Sequence, residues 1–161
     1  MSSLTRIIQK LRTDLGVDPL ITVSSPLPSY LDLPAAHAES FHAQKIAEKT
    51  GLRIAFSQDL SFELALLQGA DSSYLRRFAD DTLGKLIEYD QQNNSHLLQT
   101  LQELVNHMGV HTQTANALYL HRNTLLHRIR RIESLTGLDL SSSDDLYRAN
   151  TALRIRKLLQ L

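Results

Sequence analysis

The chain has 161 residues, 42% of them hydrophobic and 21% charged, the balance of a folded protein with room for one ordinary domain or two small ones. It lacks cysteine, which excludes disulfides, thiol catalysis and cysteine-ligated zinc or iron–sulfur sites; its longest apolar runs, such as Leu64 to Leu67, are too short for a membrane span or a secretory core, so a cytoplasmic address is expected. The formal charge is zero, yet residues 1–95 carry nine Lys or Arg against twelve Asp or Glu and residues 96–161 carry eight against five, which gathers the positive field in the back of the chain, where local charge outweighs the total.

The first segment, SSLTRIIQKLRTDLG, sets Leu4, Ile7, Ile8, Leu11 and Leu15 at helical spacing between capping serines and Gly16, predicting an amphipathic helix whose apolar side meets a core or a dimer partner. Pro19 to Val23 then reads as a short strand running into the Ser-Ser-Pro-Leu-Pro loop. A helix follows, with Asp32 as a cap, Pro34 in its first turn and Gly51 at its end; Ala36, Ala43 and Ala47 share one stripe, and Phe41 lies off it. Leu52 to Ser57 has the β-branched and aromatic content of a second strand. Asp59 and Asp71 are placed to cap two further helices, the first ending near Gly69. Tyr89 to Ser95, YDQQNNS, is polar and turn-rich, a candidate boundary before a helix over about His96 to Met108. These elements predict a mostly α protein: a small α/β N-terminal part over 1–90, followed by an all-helical domain over 95–161.

Thr112 to Ile132 has the length of two short helices joined by a tight turn, and carries four arginines and no acid. In the second helix Leu125, Ile129 and Ile132 fall at i, i+4 and i+7 and form a buried side, while Asn123, Thr124, His127, Arg130 and Arg131 project away and Arg122, Leu126 and Arg128 lie on the flanks. Arginine can bond a guanine edge or a phosphate with two donors, asparagine can pair with adenine, and threonine can touch a thymine methyl. The pattern predicts a helix-turn-helix that reads double-stranded DNA. In the preceding helix Ala115 and Leu118 have the small and large sizes that let two helices cross closely, with Leu120 dropping into the shared core. Tyr119 stands near the turn, where many such motifs carry glycine; it implies either a turn without positive φ or a small local cost. The last segment opens with SSSDD and places Arg154, Arg156 and Lys157 late in a helix, so both ends complement its dipole.

The run HRNTLLHRIRRIESLTGLDL at His121 to Leu140, preceded by LLQTLQELV and TANAL, strongly resembles the C-terminal helix-turn-helix of the PucR/CdaR family of bacterial transcription regulators. The likeness covers about Leu97 to Leu159. It implies that His121, Arg122, Asn123, Thr124 and Arg128 lie at or near DNA, and that Ala115, Leu118, Leu120, Leu125 and Ile129 hold the unit together. His127 stands where many relatives have tyrosine. The front half resembles the degenerate cyclase-like domain that precedes this motif in the family, through VSS, IAFSQDLSFELALL and, from Leu83 on, LGKLIEYDQQNNSHLLQTL. Only the later part of such a domain fits in about 90 residues, and no Gly-Gly-Asp-Glu-Phe sequence supports nucleotide cyclisation. The ligand-sensing domain that usually begins these regulators has no counterpart in these residues, which fits either a natural short member or a fragment of a longer regulator; a separate regulatory protein or ligand-sensing domain stays open as a partner.

Other chemistry has weaker support. His107 and His111 stand at i, i+4, but Gly109 between them ends the helix and no third ligand is obvious, so no metal is expected. Asp80-Asp81 and Asp144-Asp145 point about 100° apart on a helix and do not face one another. Neither a nucleophile motif nor a phosphate-binding glycine loop is present among six glycines. No catalytic residue and no cofactor is expected. The expected function is a cytoplasmic, sequence-specific DNA-binding regulator acting as a homodimer; the rival is a non-enzymatic interaction or dimerisation module whose basic helix meets an acidic partner.

Overall fold

A computed structural model describes residues 3–69 and 71–161. Among them are eight α-helices and one two-stranded sheet, so the chain is mostly α as its sequence indicates. It divides into two compact units, Met1–Asp71 with Lys157–Leu161, and Ser72–Arg156.

The first unit contains α1 (Ser3–Leu15), β1 (Ile21–Val23), α2 (Leu33–Thr50), β2 (Ile54–Phe56) and α3 (Ser61–Gly69). The two strands pair in parallel, Ile21 with Ile54 and Val23 with Phe56, which requires the long crossover that α2 supplies. Both strands are shorter than the sequence suggested, three residues each. Ala43, Ile46 and Ala47 from α2 meet Ala55, Leu60 and Leu64 in one buried cluster, which Leu158 completes. Small alanines let the helix lie close to the strands. At the strand ends Ser57 is buried, and its hydroxyl donates to the Val23 carbonyl at 2.8 Å. On α2, Phe41 is exposed off the alanine stripe, with the Lys45 ammonium 4.6 Å above its ring.

In α1 the expected stripe is only partly covered. Ile8 is buried, whereas Ile7 and Leu15 are exposed. Of the expected serine caps, Ser2 lies outside the described residues.

The described residues of the second unit form helices joined by short turns, with no strand. It contains α4 (Ser72–Asn93), α5 (Leu97–Asn106), α6 (His111–Ala117), α7 (Arg122–Thr136) and most of α8 (Ser143–Leu159). One core joins Leu83 and Leu86 of α4, Leu97, Leu101 and Leu104 of α5, Leu125, Ile129 and Ile132 of α7 and Ala149, Ala152 and Leu153 of α8.

The polar YDQQNNS segment differs from the turn its composition suggests. Its first five residues continue α4 to Asn93, because Tyr89 packs on the core and glutamine is a good helix former. The turn is confined to Asn94 to His96, with Asn94 and His96 in the left-handed region at φ 47° and 57°.

Candidate nucleic-acid interface

The helix-turn-helix is α6, a four-residue connection and α7. Ala115 and Thr114 are buried where α6 meets its neighbours, and the Thr114 hydroxyl donates to the Val110 carbonyl at 3.0 Å. At the end of α6 the Leu120 amide donates to the Ala115 carbonyl at 2.9 Å and the Tyr119 amide to the Asn116 carbonyl at 3.2 Å. That pair of bonds is a Schellman closure, which places Tyr119 at the position usually held by glycine. Tyr119 accordingly has φ 54°, so of the two possibilities its sequence raised, the structure shows the strained one. Leu118 packs against the core, whereas Leu120 is only partly buried and stays outside the buried cluster it was expected to join.

Tyr119 is 97% exposed, so its removal forfeits little burial while glycine relieves the left-handed conformation, a gain of about 1 kcal/mol. Thermal melting of Tyr119→Gly should show a midpoint raised by a few degrees. An unchanged or lowered midpoint would mean that the side chain compensates the strain.

The faces of α7 divide as the spacing required. Leu125 and Ile132 are fully buried and Ile129 nearly so, while His121, Arg122, Asn123, Thr124, His127, Arg130 and Arg131 are exposed. The helix starts under its own cap, since Nδ1 of His121 accepts from the Asn123 amide at 3.2 Å. It closes at Gly137, whose φ of 73° suits a residue without Cβ. The first acid after the arginines, Glu133, is turned to structural use: its Oε1 accepts from the Leu140 amide at 3.1 Å. The exposed face therefore keeps its positive charge.

Two of the arginines are held. Arg128 is partly buried, and its Nη1 donates to Oγ1 of Thr100 at 3.1 Å; Thr100 is fully buried and donates in turn to the His96 carbonyl at 2.8 Å. Arg131 lies with its guanidinium carbon 4.5 Å from the centre of the Tyr89 ring. By contrast Arg122 and Arg130 make no hydrogen bond or ion pair among the described residues. Between α7 and the α4–α5 turn lies a hollow of about 520 Å³ lined by Tyr89, Ser95, Leu97, Asn123, Thr124, His127, Arg128 and Arg131. It brings together five of the eight residues that the sequence singled out; His121, Arg122 and Arg130 lie outside its lining.

Beside the hollow, Asp90 fixes the turn. Its Oδ1 accepts from the Leu97 amide at 2.8 Å and from the Ser95 hydroxyl, and its Oδ2 accepts from the Leu98 amide at 2.7 Å. Burial pushes this carboxyl up, but the Ser95 hydroxyl, the Leu98 and Leu97 amides and the nearby His96 outweigh burial and hold it below its ordinary value. Sequence reasoning assigned no role to Tyr89, Asp90, Ser95 or Thr100. The one available signal was Asp90 ahead of a leucine-rich helix, but a cap seven residues upstream follows no local motif.

His107 and His111 sit on either side of Gly109, at the end of α5 and the start of α6. His107 faces Glu103 at 3.6 Å. Among the described residues no group of three metal-ligating side chains gathers, and no helix is long and apolar enough to cross a membrane.

Comparison with known proteins bears on the same residues. Residues 97–155 match the family described as the PucR C-terminal helix-turn-helix domain. The chain is 30% identical over 141 residues to the purine catabolism regulatory protein of Bacillus subtilis, a match covering 85% of this chain and 26% of that protein. It is 33% identical over 135 residues to the carbohydrate diacid regulator of Escherichia coli, covering 80% and 34%. It is 32% identical over 131 residues to the transcriptional activator PmfR of Paenarthrobacter nicotinovorans, covering 81% and 27%. The chain thus spans about a quarter to a third of the length of these curated relatives. No solved structure matches it.

Proposed function

We propose that the chain, which carries the PucR C-terminal helix-turn-helix domain and resembles regulators of the PucR/CdaR family, binds double-stranded DNA in a sequence-specific manner, with α7 seated in the major groove. The observation that carries this reading is the division of α7 into a buried stripe, Leu125, Ile129 and Ile132, and an exposed basic and polar face from His121 to Arg131. A helix so anchored holds its outer side chains at fixed positions, which is what base recognition requires.

Relatives named for purine catabolism and for carbohydrate diacids share this region of sequence. The likeness therefore supports the DNA-binding module and not any one relative's named role. The reading extends to a cytoplasmic homodimer. A two-fold pair would set its recognition helices about 34 Å apart, on successive major grooves of a palindromic site. It assigns the chain no reaction and no cofactor.

Selection from a random-sequence DNA pool at two salt concentrations tests the proposal, with Arg122→Ala and Arg130→Ala alongside. A defined site should be enriched by the parent chain. A variant that loses a base contact should relax preference at one position and bind its site weaker by on the order of 1–3 kcal/mol. Absence of any binding at low salt would sink the reading and move an acidic protein partner to first place.

A further inference from the structure

We propose that the hollow between α7 and the α4–α5 turn is the seat of a DNA backbone phosphate, with Arg131 as its ligand and Tyr89 as the residue that positions Arg131. This assignment rests on the DNA-binding reading and divides the labour within it.

The face of the Tyr89 ring attracts the Arg131 guanidinium, whose carbon lies 4.5 Å from the ring centre. All five N–H donors of a guanidinium lie in its plane, so stacking on a ring leaves each of them free to bond outward. Among the described residues no carboxylate pairs with Arg131. Its charge is thus held in place but left for an anion. One turn earlier on the same helix, Arg128 is fixed through Nη1 by Thr100 and adds a second guanidinium to the same lining.

Asp90, which follows Tyr89 in the chain, pairs with neither arginine. Both oxygens of Asp90 are engaged by the Ser95 hydroxyl and the amides of Leu97 and Leu98. The hollow, at about 520 Å³, exceeds what a phosphate alone needs and suits a stretch of sugar–phosphate strand that enters and leaves. Fixed, planar donors in an open basic hollow recognise a phosphate well and carry no base information.

Helical geometry places base reading elsewhere. Advancing 100° per residue, Asn123 and His127 point most directly away from the stripe of Leu125, Ile129 and Ile132, whereas Arg130 and Arg131 lean to opposite sides of that line, Arg131 toward Tyr89. Arg130 lies outside the lining of the hollow and is left for base edges, while Arg131 holds the backbone.

The test uses the full chain and the site it selects. Binding is measured across a salt series for the parent, Arg131→Ala, Tyr89→Leu and Tyr89→Phe, and again on DNA in which single phosphates are replaced in turn by neutral methylphosphonates. Melting curves report folding for each variant. Arg131→Ala should reduce the dependence of log affinity on log salt by about one unit and leave base preference unchanged. One methylphosphonate position should weaken the parent but not Arg131→Ala. Tyr89→Leu should weaken binding about two- to fivefold, the share of an exposed cation–π contact, and Tyr89→Phe should match the parent.

If Arg131→Ala keeps the parent's salt dependence and relaxes one base position instead, the phosphate seat is wrong and DNA binding stands. If the parent selects no DNA at all, both fall together.

Discussion

Leu125→Asp should abolish the cooperative unfolding transition of the helical unit. Leu125 has no exposed surface and joins α7 to the cluster that holds the leucines of α4 and α5. Replacing it loses the burial of a leucine and leaves a cavity, an effect of about 2–5 kcal/mol in large-to-small substitutions. The new carboxylate adds a desolvation penalty with no cation or donor set built to receive it. The combined effect is comparable with the whole stability of an ordinary domain, about 5–15 kcal/mol. Circular dichroism should then show weakened helicity and no sharp melt, with DNA binding lost as a consequence. Arg130→Ala is the control: an exposed change of this kind should leave stability within about 0.5 kcal/mol while altering DNA binding. A Leu125→Asp chain that melts like the parent would mean that α7 is not anchored by its apolar stripe.

Loss of the Asp90 carboxylate should be the second large effect. The first amides of α5 have no partner within their own helix, and the residue preceding that helix, His96, provides no side-chain cap. Asp90 supplies the acceptors for Leu97 and Leu98 and also holds Ser95. Asp90→Ala strips all three donors at once, at a cost of about 2–3 kcal/mol. Asp90→Asn keeps one acceptor oxygen and loses the charge, and should cost about 1 kcal/mol. Because α5 also carries Thr100, the damage should reach Arg128 and lower DNA affinity along with stability.

The same carboxylate gives the effect a pH signature. Its value in the folded chain is depressed, so the unfolded state takes up its proton first as pH falls. The stabilisation is fully present above the ordinary aspartate range, near pH 4, and is lost as pH drops through the lower folded value. Urea unfolding at pH 7 should therefore separate the parent from Asp90→Asn, and the gap should shrink in strongly acid solution. A gap of equal size at both pH values would show that the carboxylate charge is not what stabilises the turn.

The features legible in the sequence were those set by local spacing. Leu125, Ile129 and Ile132 declared the inner side of α7 because an apolar repeat at helical period has only one place to go, and Gly51 and Gly137 marked helix ends because few other residues accept their backbone. What stayed hidden depends on residues far apart in the chain. The sequence marks Arg128 as a DNA contact but gives no sign that Thr100, 28 positions away, holds its guanidinium in place. Tyr89 and Asp90 sat in a segment whose polarity suggested a boundary, yet one orders Arg131 and the other caps α5. Tyr119 marked the turn correctly but could not disclose which backbone conformation the turn adopts. In α1 the repeat was read correctly as a helix, but periodicity cannot tell how much of an apolar stripe its own chain will cover.

The core of the first unit is completed by Leu158, which is fully buried among Ala43, Ile46, Ala47 and Ala55. A ribosome delivers residues 1–71 long before it reaches that leucine. The second unit draws its buried cluster entirely from Leu83 to Leu153 and has every part in hand by then. The buried cluster of the segment made first is therefore complete only once α8 has been made to its last turn, after that of the second unit.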